Sequence, residues 1–264
     1  MSKRKSTAVI ECSTISLDGS GSGSGSVSVS VSVSDSELAT DAFSQHEGPS
    51  SGTACDAAVA LQSKKLSTSM FEHYLGIMQK NFSKDTKASF AFLDSLWFSV
   101  YRQKSSKDKV LEWIKKKRIL SKKYVVVPIV CWNHWNLLIL CHLGESKESK
   151  TRTRCMLLLD SLHMAEPKRL EPDIRRFVSD IYEVEKKPQK TAMFSKIPLL
   201  VPKVPQQRNG EHCGLYVLYF LNLFVQHAPK NFSIEDGYPY FMTEDWFCHE
   251  DVDRFCSELT QRNQ

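Results

Sequence analysis

Three segments between residues 66 and 120 carry apolar side chains at helical spacing. In MFEHYLGIMQKNF, the residues Phe71, Tyr74, Leu75 and Met78 recur at positions i, i+3, i+4 and i+7, which predicts an amphipathic helix. The aromatic-rich segment SFAFLDSLWFSVYRQ predicts a second helix that is mostly buried. The segment DKVLEWIKKKRIL predicts a third helix with a basic exposed face. We therefore expect the ordered part of the chain to begin with helices.

The pattern changes to that of β-strands after residue 123. The segments KYVVVPIVC and HWNLLILCHL are short, apolar and bounded by polar residues, which predicts two adjacent central strands joined at Asn133. CMLLLD predicts a third buried strand that ends in a carboxylate. KIPLLVPKVPQ predicts an edge strand, because proline cannot donate a hydrogen bond to a neighbouring strand. The remaining helices are expected in PDIRRFVSDIYEVEKK, GLYVLYFLNLFVQHA and TEDWFCHEDVDRFCSELTQR, and the whole pattern predicts an α+β domain.

The first 64 residues have a different composition from the rest of the chain. The tract GSGSGSVSVSVSVSDSE passes from Gly-Ser repeats, typical of flexible linkers, into Val-Ser alternation. That alternation has strand periodicity, but one short strand without a partner is not stable. We therefore expect a disordered region over residues 1–64 and one domain over residues 65–264.

Composition and charge exclude several classes of function. The net charge of +5, from 35 basic and 30 acidic residues, is too small to argue for a nucleic-acid partner. No apolar run reaches the roughly 20 residues of a membrane span, and the N-terminus lacks the apolar core of a signal peptide. The eight cysteines form no CxxC pair, which favours free thiols in a reducing compartment over a disulfide scaffold.

One cysteine lies at the boundary between a polar segment and a long apolar run. In QQRNGEHCGLYVLYFLNLF, Cys213 directly precedes the predicted core helix. The positive end of a helix stabilises a thiolate and so makes the thiol nucleophilic, and Gly214 lets a substrate backbone approach closely. A small buried cysteine that packs beside a helix would occupy the same position, so position alone does not decide between the two.

Three other residues can assist a nucleophilic thiol. His134, at the start of a predicted strand, is the candidate base. Asp160 ends a buried strand, where a carboxylate needs a partner, and it can orient the histidine. Gln207 can donate a hydrogen bond to a developing oxyanion. Taken singly, each also fits a structural role, as a strand-end histidine, a helix-capping aspartate or a loop glutamine.

A group of cysteines and histidines offers an alternative chemistry, a metal site. Their spacing along the chain matches no usual zinc pattern. We therefore expect neither a metal nor another cofactor. The group comprises Cys131, His134, Cys141, His142 and Cys155.

Taken together, these motifs resemble the signature of the ubiquitin-like-protein-specific cysteine proteases, the SUMO protease family. The resemblance is carried by HW, by a strand ending in DS, and by VPQQRNGEHCGLYVL, in the order His, Asp, Gln, Cys. The upstream segments FEHYLGIM, SFAFLDSLWFSVYRQ and VLEWIKKKRILSKKYVVVPIV are also similar to family elements. The resemblance covers roughly residues 66 to 260.

The resemblance implies both a fold and a set of site residues. The fold is that of the papain-like superfamily of cysteine proteases, a small mixed sheet flanked by helices, although papain-like enzymes place the cysteine first in the chain. By resemblance, Cys213 is the nucleophile, His134 the general base and acid, Asp160 its orienting residue and Gln207 the oxyanion donor. Trp135 is similar to the aromatic residue that covers the Gly-Gly end of the substrate in a narrow tunnel.

The same resemblance implies a thiol isopeptidase or endopeptidase that cleaves after the C-terminal Gly-Gly of a ubiquitin-like modifier. The reaction would serve deconjugation or precursor processing. SUMO is the first choice of modifier and a Nedd-type modifier the second, and a weakly active modifier-binding module is the alternative. We expect the modifier and its conjugates as partners, with no nucleic acid and no membrane, and a monomer in the nucleus, the cytoplasm or both.

The chain departs from the family pattern in two places. His212 stands where the family usually has an aspartate before the cysteine. Residues 65–68, Lys-Leu-Ser-Thr, stand where the family has a W-L-x-D segment whose tryptophan forms the other wall of the tunnel. We therefore expect a more open tunnel in this chain.

Overall fold

The computed structural model describes residues 65–145, 152–162, 166–185 and 196–261. The first 64 residues, for which the sequence predicts disorder, lie outside this part of the chain. Within it, no helix has the length and apolar character needed to cross a membrane. In chain order the elements are α1 (Thr68–Lys80), α2 (Lys84–Ser89), β1 (Phe90–Phe92), α3 (Trp97–Arg102), α4 (Lys107–Lys117), β2 (Tyr124–Cys131), β3 (His134–Cys141), β4 (Cys155–Leu159), α5 (Glu171–Val184), β5 (Leu199–Leu200), α6 (Cys213–His227) and α7 (His249–Gln261).

The five strands form one mixed sheet in the order β1-β2-β3-β4-β5. The β2–β3 and β3–β4 pairs are antiparallel, and the short edge strands β1 and β5 pair in parallel. This arrangement confirms the two adjacent central strands, the third buried strand and the proline-rich edge strand that the sequence predicts. Pro128 is tolerated inside β2 because β1 pairs only with residues 124–126, so no neighbouring strand needs a donor from Pro128 on that side.

Alternate residues of the central strands face two different apolar layers. One face, with Val126, Leu137 and Leu157, packs against α1, α6 and α7. The opposite face, with Val127 and Leu138, packs against α3, α4 and α5. Because both faces are covered, the central strands are apolar at nearly every position, as expected for a sheet buried on both sides. The domain is therefore a mixed α/β structure with helices on each side of the sheet.

One predicted helix is wrong in its first half. The segment SFAFLDSLWFSVYRQ forms strand β1 and then helix α3 rather than a single helix. The residues Phe90, Ala91 and Phe92 extend the sheet beside β2, and Asp94 Oδ1 then accepts the N–H of Leu96 at 2.8 Å in the turn that leads into α3. The density of aromatic residues concealed this change of period, because Phe90 and Phe98 are buried in either conformation.

The last helix starts later than the sequence predicts. Residues 243–248 form turns, and α7 begins at His249. Asp251 Oδ2 accepts the N–H of Cys248 at 2.9 Å, which satisfies a donor at the start of the helix as a capping side chain does.

Candidate active site

The hairpin between β2 and β3 places His134 at one end of the sheet. Its two-residue turn, Trp132–Asn133, has positive φ at both positions (53° and 60°), as in the hairpin turns whose twist matches that of the strands. The exposed indole of Trp132 lies against two guanidinium groups, at 4.8 Å from Arg102 and 3.9 Å from Arg169. These contacts stabilise Trp132 in a left-handed backbone conformation that is unfavourable for a residue with a large side chain. His134 follows as the first residue of β3.

Asp160 lies directly after β4 and contacts the histidine. Because β4 neighbours β3, the end of β4 comes close to the start of β3. The Nε2 atom of His134 is 2.7 Å from Asp160 Oδ1, and the same oxygen accepts the backbone N–H of Leu162 at 2.8 Å. The carboxylate is buried and thus has the partner that its position in the sequence requires.

Cys213 is the first residue of α6, so its thiol lies at the N-terminal end of a 15-residue helix. The thiol hydrogen-bonds with the His134 side chain and accepts the backbone N–H of Trp135. Cys213 is completely buried in this structure. The residues for which the sequence predicts a nucleophile, a base and an orienting carboxylate therefore lie together in one hydrogen-bonded chain.

The surroundings favour the charged forms of both cysteine and histidine. Burial acts to raise the pKa of Cys213, but the hydrogen bonds from His134 and from the Trp135 N–H outweigh burial, so the pKa falls below its ordinary value. Burial acts to lower the pKa of His134, yet the hydrogen bonds to Asp160 and Cys213 raise that pKa to about 9. The pair therefore favours a thiolate beside an imidazolium, the reactive form of a catalytic cysteine.

Gln207 lies in the loop before α6 and is held at both ends of its side chain. Its Oε1 accepts the hydroxyl of Ser161 at 2.6 Å, and its Nε2 donates to the backbone oxygen of Asn209. The preceding residue, Gln206, donates from Nε2 to the backbone oxygen of Asp160 at 3.1 Å. The glutamine pair thus attaches the loop to the Asp160–Ser161 dipeptide at the end of β4.

Sequence reasoning missed two residues of this network, Ser161 and Asn209. Asn209 Oδ1 accepts the N–H groups of Glu211 and His212, both at 3.0 Å, and so shapes the turn that leads into α6. His212, which departs from the family pattern, is the residue that precedes the helix. For Asn209, the available signal was the polar segment QQRNGEH between the last strand and the core helix, because loops often carry functional residues.

The expected tunnel residue Trp135 is covered in this structure. Its side chain is only 2% exposed and stacks on Phe71, with ring centroids 4.3 Å apart. Leu66 packs in the same cluster, and both side chains lie close to Gly214. A Cβ atom added to Gly214 would be 2.9 Å from Leu66 Cβ and 3.3 Å from Trp135 Nε1. Lys65 donates from Nζ to the backbone oxygen of Asn133. Residues 65 and 66 therefore fill space where the sequence predicts a more open tunnel.

The alternative metal site has no support in the described part of the chain. Among those residues, no group of three or more histidine, cysteine or acidic side chains is arranged to hold a metal ion. Register explains this result, because His134 and Cys141 lie at opposite ends of β3. Cys131 and Cys141 also face opposite sides of the sheet.

Comparison with known sequences supports one family. The family model described as the Ulp1 protease family, C-terminal catalytic domain, matches residues 64–263. A probable ubiquitin-like-specific protease 2A of Arabidopsis thaliana is 25% identical over 201 residues, which cover 69% of this chain and 26% of that protein. Ubiquitin-like protease 4 of Caenorhabditis elegans is 32% identical over 124 residues, covering 46% of this chain and 31% of that protein. The chain thus matches about a third or less of the length of these relatives.

Comparison with solved structures supports the fold. A structure of the SUMO protease Ulp1 with its catalytic cysteine oxidised to a sulfenic acid has a TM-score of 0.53 at 19% identity. The match covers 77% of this chain and 80% of that one. A second Ulp1 structure, with the cysteine oxidised to a sulfinic acid, has a TM-score of 0.52 at 19% identity. At this level of identity the likeness concerns the fold alone.

Proposed function

The chain belongs to the Ulp1 protease family, and from that premise we propose that it is a thiol peptidase of the papain-like superfamily. It cleaves after the C-terminal Gly-Gly of a ubiquitin-like modifier, either at an isopeptide bond to lysine or at a peptide bond in a precursor. The observation that carries the proposal is the buried chain of hydrogen bonds from Asp160 through His134 to Cys213. Its pKa shifts are those that a thiolate nucleophile and a proton-donating histidine require.

In the acylation step, the Cys213 thiolate attacks the carbonyl carbon of the terminal glycine. The C=O electron pair moves to oxygen, and the oxyanion accepts hydrogen bonds from the Gln207 side chain and the Cys213 backbone N–H. As the C–N bond breaks, the His134 imidazolium gives its proton to the departing amine. Asp160 keeps the imidazole in one orientation and stabilises its charged form.

In the deacylation step, the now neutral His134 takes a proton from water while the water oxygen attacks the thioester carbonyl. The C–S bond breaks, the modifier leaves as a carboxylic acid that loses its proton to solvent, and the thiolate–imidazolium pair is restored. No redox partner or cofactor enters either step. The reaction therefore requires only the four side chains and water.

SUMO is the first modifier to test and a Nedd-type modifier the second. The relatives include ubiquitin-like-specific and sentrin-specific proteases, and the two similar solved structures are of the SUMO protease Ulp1. The small basic excess of this chain is compatible with an acidic face on the modifier. We further propose a monomer that acts in the nucleus or cytoplasm without a nucleic-acid or membrane partner.

A modifier-binding module with little turnover is the second candidate, and one observation favours it. Trp135, the expected contact for the Gly-Gly tail, is covered by Phe71 and by the Leu66 region. Under the peptidase proposal, Leu66 must move away from Gly214 when the tail binds. Under the binding proposal, the modifier binds elsewhere and its tail never reaches Cys213.

A panel of SUMO-type, Nedd-type and ubiquitin probes with a C-terminal electrophile separates the two candidates. The peptidase proposal predicts a covalent adduct with at least one probe, visible as a gel shift, and no adduct with the Cys213→Ala variant. Cys248→Ser, which removes the exposed cysteine of the described residues, is the matched control and should leave the adduct unchanged. Binding of a modifier without any adduct would support the binding module and overturn the peptidase.

A further inference from the structure

Ser161 contacts Gln207 through both its backbone and its side chain. The backbone N–H of Gln207 donates to the Ser161 carbonyl oxygen at 2.9 Å, and the Ser161 hydroxyl donates to Gln207 Oε1 at 2.6 Å. Ser161 is 1% exposed, so water does not compete for its hydroxyl. A buried hydroxyl that satisfies a buried amide oxygen is costly to remove, because the oxygen would be left without a donor.

The hydrogen-bond pattern also fixes which end of the Gln207 amide faces which way. The backbone carbonyl of Asn209 can only accept, so the NH₂ end of the amide must face it. The oxygen end then faces Ser161, and the serine hydroxyl must donate. One of the two amide hydrogens is used by Asn209, which leaves the second for another acceptor. An amide held at both ends in this way does not lose orientation when an oxyanion forms, and this is the benefit of a preorganised donor.

Ser161 is also the neighbour of Asp160 in the chain. The residue that contacts His134 and the residue that contacts Gln207 therefore form one dipeptide at the end of β4. Gln206 strengthens the attachment by donating to the Asp160 carbonyl oxygen. A single rigid element thus sets the position of the histidine on one side and of the glutamine on the other.

We propose that Ser161 is a positioning residue that holds the Gln207 amide with its N–H toward the developing oxyanion. The proposal rests on the proposed function, since Gln207 has an oxyanion to bind only if Cys213 attacks a carbonyl. Ser161 itself touches no reacting atom. Its effect should therefore appear in the chemical step and should depend on the presence of Gln207.

The test is a double-mutant cycle with Ser161→Ala and Gln207→Ala, assayed on a SUMO-type modifier with a C-terminal aminomethylcoumarin amide. Loss of one oxyanion donor typically costs about 10²–10³ in kcat, so we expect Gln207→Ala to fall in that range. We expect Ser161→Ala to lower kcat by about tenfold or more with KM nearly unchanged. In the Gln207→Ala background, Ser161→Ala should change kcat by less than about twofold, because the positioned group is absent.

A second readout separates positioning from general damage to the site. Alkylation of Cys213 by iodoacetamide needs the thiolate but no oxyanion donor, so its rate should be the same in Ser161→Ala and in the unaltered chain. Ser95→Ala is the matched control, because Ser95 is equally buried but lies outside the hydrogen bonds of the site; it should leave kcat unchanged. If Ser161→Ala does not fold, Ser161→Cys replaces it, since a thiol of similar size is a weak donor.

The possible outcomes distinguish this inference from the proposed function. If Cys213→Ala abolishes hydrolysis while Ser161→Ala keeps the full kcat, the inference is overturned and the peptidase stands. The inference is also overturned if Ser161→Ala lowers kcat by the same factor with and without Gln207, or if it slows the alkylation of Cys213 as much as it slows hydrolysis. If hydrolysis persists in Cys213→Ala, the proposed function fails and the inference falls with it. A lower kcat of Ser161→Ala when Gln207 is present, with no further loss in the Gln207→Ala background, supports the inference.

Discussion

The substitution Asp160→Asn tests the electrostatic basis of the site. It keeps the size of the side chain and removes the charge that lies 2.7 Å from His134 Nε2. An asparagine can also present its NH₂ group to the ring, which favours the wrong tautomer of the histidine. Because His134 is buried, its imidazolium then loses its main anionic partner while burial continues to oppose the charge.

The magnitude follows from the pKa of His134. The value of about 9 lies about 2.5 pH units above the ordinary 6.5, which at about 1.4 kcal/mol per unit corresponds to about 3 kcal/mol for the protonated form. This figure is a net value, because burial opposes the charge while Asp160 and Cys213 together stabilise it. If the pKa returns to 6.5, the imidazolium population at pH 7.5 falls from nearly all molecules to about one tenth, by the same relation.

The assay is the pH dependence of Cys213 alkylation by iodoacetamide, followed by mass spectrometry in a Cys248→Ser background. Because Cys213 is completely buried, the reagent reaches it only when Leu66 moves, as the peptidase proposal requires, and the unaltered site should then react at neutral pH. The Asp160→Asn variant should react about tenfold more slowly at pH 7.5, and its profile should move toward higher pH as the thiolate loses its imidazolium partner. Glu112→Gln, which removes a carboxylate of an exposed ion pair on α4, is the matched control. An unchanged profile in Asp160→Asn would refute the ion-pair reasoning.

Three further predictions concern pH and packing. The rate of hydrolysis should rise with pH through the lowered pKa of Cys213 and fall again near pH 9 as His134 loses its proton. A rate that keeps rising above pH 10 would contradict the assignment of a thiolate–imidazolium pair to these two residues. Gly214→Ala should lower the free energy of unfolding by about 1–3 kcal/mol in urea titration, because its Cβ would be 2.9 Å from Leu66 Cβ, and unchanged stability would show that residue 66 gives way without cost. His142 is buried with both ring nitrogens unpaired within the described structure, between the rings of Tyr124 and Phe232. Burial lowers its pKa below 6.5, with nearby Glu145 opposing and Arg152 and Lys123 adding to that effect. Stability should therefore decline as pH falls below 6.5, and His142→Phe should weaken that decline; an identical pH dependence in both proteins would contradict the assignment.

The sequence predicted the frame of the site well because that frame depends on local patterns. Apolar runs bounded by polar residues identified β2, β3 and β4, and the polar residues at their ends were His134 and Asp160. Because β3 and β4 pair as antiparallel neighbours, the start of β3 and the end of β4 come close together. The apolar run after Cys213 likewise identified the helix whose first residue carries the thiol.

The parts that the sequence did not predict depend on long-range contacts. Ser161 and Gln207 are 46 residues apart, and nothing in the local pattern of either segment indicates their hydrogen bond. A more open tunnel was expected because Lys65 stands where the family has its tryptophan, but the chain path brings the next residue, Leu66, against Gly214. The strand β1 was predicted as helix because its aromatic residues are compatible with burial in either conformation.

Cleavage of an isopeptide-linked conjugate tests the central claim most directly. The substrate is a SUMO-type modifier joined through its terminal glycine to the lysine side chain of a peptide, and the product masses are measured over time. The account predicts release of the free modifier, ending in an unmodified Gly-Gly carboxylate, together with the free lysine peptide, and no release by Cys213→Ala. Release at the same rate by Cys213→Ala, or no cleavage of SUMO-type, Nedd-type and ubiquitin conjugates by the unaltered chain, would contradict it.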